Sequence, residues 1–114
     1  MESCLFCKIA SNELQADVLF ETEHVVAFKD LNPQAPVHYL VIPKRHFAHL
    51  SAATEQEEGV LGGLMLACAR VAKETGIEQD GYRVVLNTNS QAGQSVYHIH
   101  AHVMGGRSMR WPPG

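Results

Sequence analysis

A chain of 114 residues is the size of one domain and can hold a core without disulfide staples. With 46% apolar and 18% charged residues the composition is ordinary globular, and a formal net charge of −3 argues against a basic surface for nucleic acid. No run of about 18 apolar residues is present to span a membrane, and the opening MESCLFCKIASNE, with Glu2 and no long apolar stretch, does not read as a signal peptide.

Residues 4–11 read as a short helix presenting Leu5, Phe6 and Ile9. Two short β-rich runs follow, Val18–Glu21 and Val25–Lys29, with Thr22-Glu23-His24 as the hairpin turn between them. Leu31–Pro36 is a loop stiffened by two prolines, and Val37–Ile42 is a strand that Pro43 ends. Thr54, with Glu57 three residues on, is a capping box that opens a helix over 54–75. Its apolar positions Val60, Leu61, Leu64, Ala67, Cys68 and Val71 recur at helical spacing, and Gly76 is its stop. Gly62 and Gly63 cost helix stability, which close packing against a sheet or second helix would offset. Tyr82–Thr88 is a strand, Asn89–Ser95 a turn, and Val96–Met104 the last strand, broken by Gly105-Gly106. Strand runs with one long helix predict an α+β domain, an antiparallel sheet of about five strands covered by that helix. A symmetric dimer would hide the sheet's edges.

The three cysteines suggest a reducing cytoplasm, with the Cys4-x-x-Cys7 pair either free or on a metal and Cys68 alone in the helix. The seven histidines carry the chemistry, above all the run His98-Ile99-His100-Ala101-His102. On a strand the three histidines share one face at steps of about 7 Å, while Ile99, Ala101 and Val103 turn to the core. Two chemistries use such a trio. H-x-H can give two ligands of a zinc site, or a neutral imidazole can attack phosphorus and later depart, splitting one displacement into two. In the second case the turn Gly93-Gln94-Ser95 supplies amides and a hydroxyl for phosphate oxygens, with Asn87 a further donor. Periodicity alone leaves both open.

The run HIHAHVM after GQSVY resembles the histidine-triad (HIT) superfamily. FKDLNPQAPVHYLVIPKRH at 28–46 and GGRSMRWPPG at 105–114 resemble its branch of histidine-triad nucleotide-binding proteins, so the resemblance covers the chain as a single domain over 1–114. It implies a homodimer that hydrolyses adenosine or guanosine 5′-phosphoramidates through a nucleotidyl-histidine, with no cofactor needed for the reaction. His100 takes the place of the nucleophile, His102 binds the α-phosphate with Asn87, Gly93 and Gln94, and Ser95 helps protonate the leaving amine. Asp30 accepts from the ribose hydroxyls. Phe6, Ile9, Leu14, Phe28, Leu31 and Leu40 line the base pocket, and His38 stands behind the nucleophile. Trp111 lies in a tail that, in the family, crosses to the partner's leaving-group pocket. Some bacterial members hold a structural zinc, for which the resemblance offers Cys4, Cys7, His46 and His98, with His49 an alternative to His46. The rival readings are a dinucleoside polyphosphate hydrolase and a nucleotide-binding scaffold whose hydrolysis is incidental.

Overall fold

The protein is described by a computed structural model covering residues 3–114. Its elements in chain order are α1 (Leu5–Ala10), β1 (Val18–Glu21), β2 (Val25–Lys29), β3 (Val37–Pro43), α2 (Glu58–Glu74), β4 (Tyr82–Val85) and β5 (Ala101–Gly105). The strands form one antiparallel sheet in the order β1-β2-β3-β5-β4, as the α+β expectation requires.

Strand alternation gives the sheet two apolar faces with different coverings. One buries Val25, Ala27, Val41, Ala101 and Val103 against Leu64, Cys68 and Val71 of α2. The other buries Val26, Phe28, Leu40 and Ile42 against Phe6 and Ile9 of α1. Successive residues of β2 thus feed opposite cores, which is why the strand reads as an unbroken apolar run. Helix α2 starts as expected: the Thr54 side chain accepts from the Gln56 amide, while Glu57 accepts from the Thr54 amide at 2.7 Å. The segment Glu55–Glu57 is a 3-10 turn, so the α-helix proper begins at Glu58. Gly76, at φ +77°, supplies the left-handed residue after the helix.

Three sequence expectations need correction. Gly62 and Gly63 make no close approach within the chain, since a Cβ on either would meet nothing within 4 Å. The strand expected over 82–88 stops at Val85, and that expected over 96–104 starts only at Ala101. The two shortenings share a cause. Val85 pairs with His102, and residues 96–98 bend away from the sheet, so 86–88 have no neighbouring strand to bond. Among the described residues no helix is long and apolar enough to cross a membrane.

Candidate active site

The segment leading to the histidines is fixed by one glutamine. Gln94 is buried, its Oε1 accepts from the Asn89 amide at 2.8 Å, and its Nε2 donates to the carbonyls of Ala48 (2.7 Å) and Val96 (3.1 Å). Its own amide donates to Asn89, and that of Gly93 to Ser90. This corrects the expectation that Gly93 and Gln94 present amides to phosphate: both are spent inside the turn, and Gln94 anchors it to the 46–49 segment. Gly93, at φ +89°, permits the tight turn. Ser95 is exposed beyond it.

Past the turn the three histidines divide. His98 is fully buried, and its Nε2 donates to the Pro43 carbonyl at 2.8 Å, because a carbonyl only accepts. Its Nδ1 therefore carries a lone pair, aimed at Cys4, Cys7 and His46. The His98 carbonyl accepts from His100 Nδ1 at 2.9 Å, which leaves the lone pair of His100 on Nε2. The Phe6 ring packs T-shaped against His100 at 5.0 Å between centroids, and the His102 ring lies 5.1 Å from His100.

His102 receives its tautomer by a longer chain. The Gln34 amide donates to His38 Nδ1 at 3.0 Å, so neutral His38 carries its proton on Nε2. That nitrogen lies 2.9 Å from His102 Nδ1 and 3.3 Å from Asp30 Oδ2. His102 Nδ1 accepts, and its N–H is on Nε2, free to donate. The structure thus places His38 behind His102, whereas the resemblance implied a place behind His100. Asp30 divides its carboxylate: Oδ1 accepts from the Asn32 amide at 2.8 Å, and Oδ2 faces His38 and His102.

Burial holds this group neutral. Desolvation lowers the pKa of His98, His100 and His38, against the raising effect of the Pro43 and His98 carbonyls and of Asp30. His102 is lowered to about 4, first by burial and then by the His100 and His38 rings beside it.

An apolar hollow of about 330 Å³ opens next to the histidines, lined by Phe6, Ile9, Leu14, Phe28, Leu31 and Leu40, with Asp30 at its polar side. All six residues expected in a base pocket are therefore together, Leu31 as a rim residue 97% exposed. Leu5, Gln15 and Lys29 also line it and were not foreseen. Asn87 is half-buried, two residues past Val85, the strand partner of His102. Trp111 is 82% exposed, so little of its ring packs on this chain.

The second cluster is Cys4, Cys7, His46 and His98, whose ligand atoms all lie within 4.8 Å of one another. His46 Nδ1 is 3.3 Å from Cys7 Sγ and 3.0 Å from His98 Nδ1, and Cys4 Sγ is 3.4 Å from His98 Nδ1. Tetrahedral zinc bonded to two sulfurs and two nitrogens sets ligand atoms about 3.3–3.8 Å apart; the donor set fits this ion in chemistry, and the sulfur–nitrogen spacings of 3.3 and 3.4 Å fall in that range, while the two nitrogens sit closer, at 3.0 Å. The Cys4 side chain also accepts from the Cys7 amide at 3.2 Å at the start of α1. Burial and the adjacent Cys4 push the Cys7 thiol up to about 11, so a thiolate pair here calls for a cation. His49 lies outside the cluster.

This fold and the divided triad define a class. A HIT domain model matches residues 11–109, and the chain belongs to the HIT domain family. An uncharacterized HIT-like protein of Synechococcus elongatus is 47% identical over 113 residues, 99% of this chain and 98% of its own. A HIT family hydrolase from Legionella pneumophila superposes with a TM-score of 0.96 at 46% identity, covering 98% of this chain and 100% of the other. A histidine triad protein from Clostridium difficile does so with a TM-score of 0.93 at 38% identity, covering 96% of each chain.

The His102 shift carries a stability consequence with a definite sign. The folded pKa of about 4 lies below the ordinary histidine value of about 6.5, so the unfolded chain binds the proton first. Folding stability should be fully present above pH 6.5 and fall as the pH drops toward 4. The downward shifts of His38 and His100 act in the same sense. Urea unfolding of wild type and His102→Gln across that range should show a shallower pH slope for the variant. Equal slopes would show that His102 is not held neutral.

Proposed function

We propose that this chain is a purine nucleoside phosphoramidase that hydrolyses the P–N bond of adenosine or guanosine 5′-phosphoramidates. The observation that carries the reading is the 2.9 Å bond from His100 Nδ1 to the His98 carbonyl, which leaves Nε2 as a neutral, oriented nucleophile. The apolar hollow beside it suits a base, with Asp30 in place for ribose hydroxyls. His102 Nε2–H would donate to a phosphate oxygen, together with Asn87 and Ser95.

In the first step His100 Nε2 forms a bond to the α-phosphorus. The P–N bond to the amine breaks, and the amine nitrogen takes up a proton from water through the Ser95 hydroxyl. In the second step water bonds to phosphorus, the electron pair returns to Nε2, and the water's proton passes to solvent. The products are the nucleoside monophosphate and the free amine. No metal takes part in either step. Cys4, Cys7 and Cys68 form no disulfide, which supports a reducing compartment such as the cytoplasm.

His100→Asn should lower kcat on an adenosine amidate by about 10⁴-fold or more while keeping nucleotide affinity, as loss of a nucleophile does. In wild type, quenched during turnover, a nucleotide adduct should appear by mass on the peptide holding His100. Undiminished turnover by the variant would remove His100 from the role. Rates on a dinucleoside polyphosphate measured alongside should be the lower ones; the reverse order would favour the polyphosphate hydrolase.

Cys4, Cys7, His46 and His98 would hold a structural zinc that ties α1 to the sheet. One zinc per chain by elemental analysis, and a lower Tm for Cys4→Ser, are the expected results; a metal-free chain of undiminished Tm would contradict the assignment. A homodimer is supported by the free edge of β4, the exposed Leu66 on α2 and the exposed Trp111. Light scattering should give twice the chain mass, and a monomer at micromolar concentration would overturn it.

A further inference from the structure

The two cysteines at the start of α1 are placed for more than metal binding. Cys4 caps the helix and Cys7 stands one turn on, where the Lys8 amide closes the turn on the Cys4 carbonyl at 3.2 Å. Three steps along a helical turn set their Cα atoms about 5 Å apart, inside the range of about 4.4–6.8 Å that a disulfide spans. The sulfurs are close as well. Cys4 Sγ accepts from the Cys7 amide at 3.2 Å, and the two Sγ atoms lie within 4.8 Å of each other. An S–S bond of about 2.05 Å therefore needs side-chain rotation and no movement of the backbone. Both side chains are half-buried, within reach of a small solute, whereas Cys68 is sealed in the core at 1% exposed.

The same turn reaches the nucleophile by two routes. Phe6, between the cysteines, packs against His98 at 6.1 Å and against His100 at 5.0 Å between ring centroids, and it also lines the apolar hollow. His98 Nδ1, in a fully buried ring, has Cys4 Sγ at 3.4 Å and Cys7 Sγ at 3.5 Å, and the His98 carbonyl fixes the tautomer of His100. Thiolates are the form of cysteine that ligates a metal, and the sulfurs of a disulfide carry no charge to offer. Joining Cys4 to Cys7 thus removes two of the four donors at once. It also takes from His98 the partners on which its buried ring depends.

We infer that Cys4 and Cys7 form a reversible thiol–disulfide site, oxidised by a hydroperoxide, whose closure expels zinc and slows turnover at His100. The inference goes beyond the phosphoramidase reading and rests on the zinc assignment. One thiolate attacks the terminal oxygen of the hydroperoxide. An S–O bond forms, the O–O bond breaks, and the departing oxyanion takes a proton to become an alcohol, or water where the oxidant is hydrogen peroxide. The second thiolate attacks the sulfenic sulfur. An S–S bond forms, the S–O bond breaks, and the hydroxide that leaves takes a proton to become water. The two sulfurs give up two electrons and the hydroperoxide accepts them. Two imidazoles remain, too few to retain zinc in a closed tetrahedral site. A dithiol reverses the bond by exchange, so the modification is transient in a reducing compartment.

The test treats the zinc-loaded protein with hydrogen peroxide. Trypsin isolates Cys4 and Cys7 on the peptide 1–8, which ends at Lys8 and is free of Cys68. That peptide should become two hydrogens lighter, and zinc captured by a chromogenic chelator should appear at one ion per disulfide. Turnover of an adenosine amidate should fall in step by about tenfold to a hundredfold, the scale that misplacing a catalytic group by about an ångström produces. A dithiol with added zinc should restore it. Cys7→Ser should show no loss that a dithiol reverses, and Cys68→Ala should respond as wild type does. Zinc retained with both thiols free, or a sulfinic acid in place of the disulfide, overturns the inference while the zinc assignment stands. A disulfide formed with undiminished turnover breaks the link to His100 and overturns it as well. A chain that takes up no zinc defeats the assignment and the inference together. Absence of turnover before oxidation removes the phosphoramidase reading alone, and the peptide mass and zinc count still decide the site.

Discussion

His98 is where the strain of burying a polar ring is turned to use. A fully enclosed imidazole loses its water on both nitrogens and must be repaid by partners on each. Pro43, at the end of β3, supplies one, and the cluster of Cys4, Cys7 and His46 faces the other. With the ring clamped, the His98 backbone is held as well, and its carbonyl sets the proton of His100 on Nδ1. A single residue thereby joins the end of a central strand, the first helix, the loop after β3 and the orientation of the nitrogen two positions on. Pulling His98 away would release each of these together.

The sheet's two-sided character serves the same end. One face is given wholly to α2, and its apolar residues provide a stiff support. The other is shared between an apolar patch under α1 and the histidines. Half-covering by a helix of only six residues leaves room for the hollow beside His100, yet excludes enough water to depress the basicity of the whole group. An imidazole that stays unprotonated keeps its lone pair, and the chain from Gln34 through His38 to His102 fixes the neighbouring ring as a donor. His100 and His102 are thus set in opposite tautomers by hydrogen bonds at the same nitrogen, Nδ1, which donates in His100 and accepts in His102.

Local pattern made much of this legible. The Thr54–Glu57 box, the spacing of Leu64, Cys68 and Val71, and the alternation through Ala101 and Val103 are rules of nearest neighbours, and each holds. The cysteine pair and His46 meet at His98 in the arrangement that the family resemblance implied. What failed depended on pairing at a distance. Tyr82–Thr88 has β propensity to its end, but a strand exists only as far as its ladder, and that ladder ends at the Val85–His102 pair. Gln94 looked available for phosphate because its bonds to Ala48 and Asn89 form only once the turn is docked.

The central question is whether phosphorus is ever bonded to His100. The stereochemical course at phosphorus tests this most directly, using an adenosine amidate made chiral at the α-phosphorus with oxygen isotopes and hydrolysed in labelled water. Two successive in-line displacements, the first by His100 and the second by water, predict retention of configuration in the product. Inversion would mean that water attacks in a single step, and the histidine would then have another task.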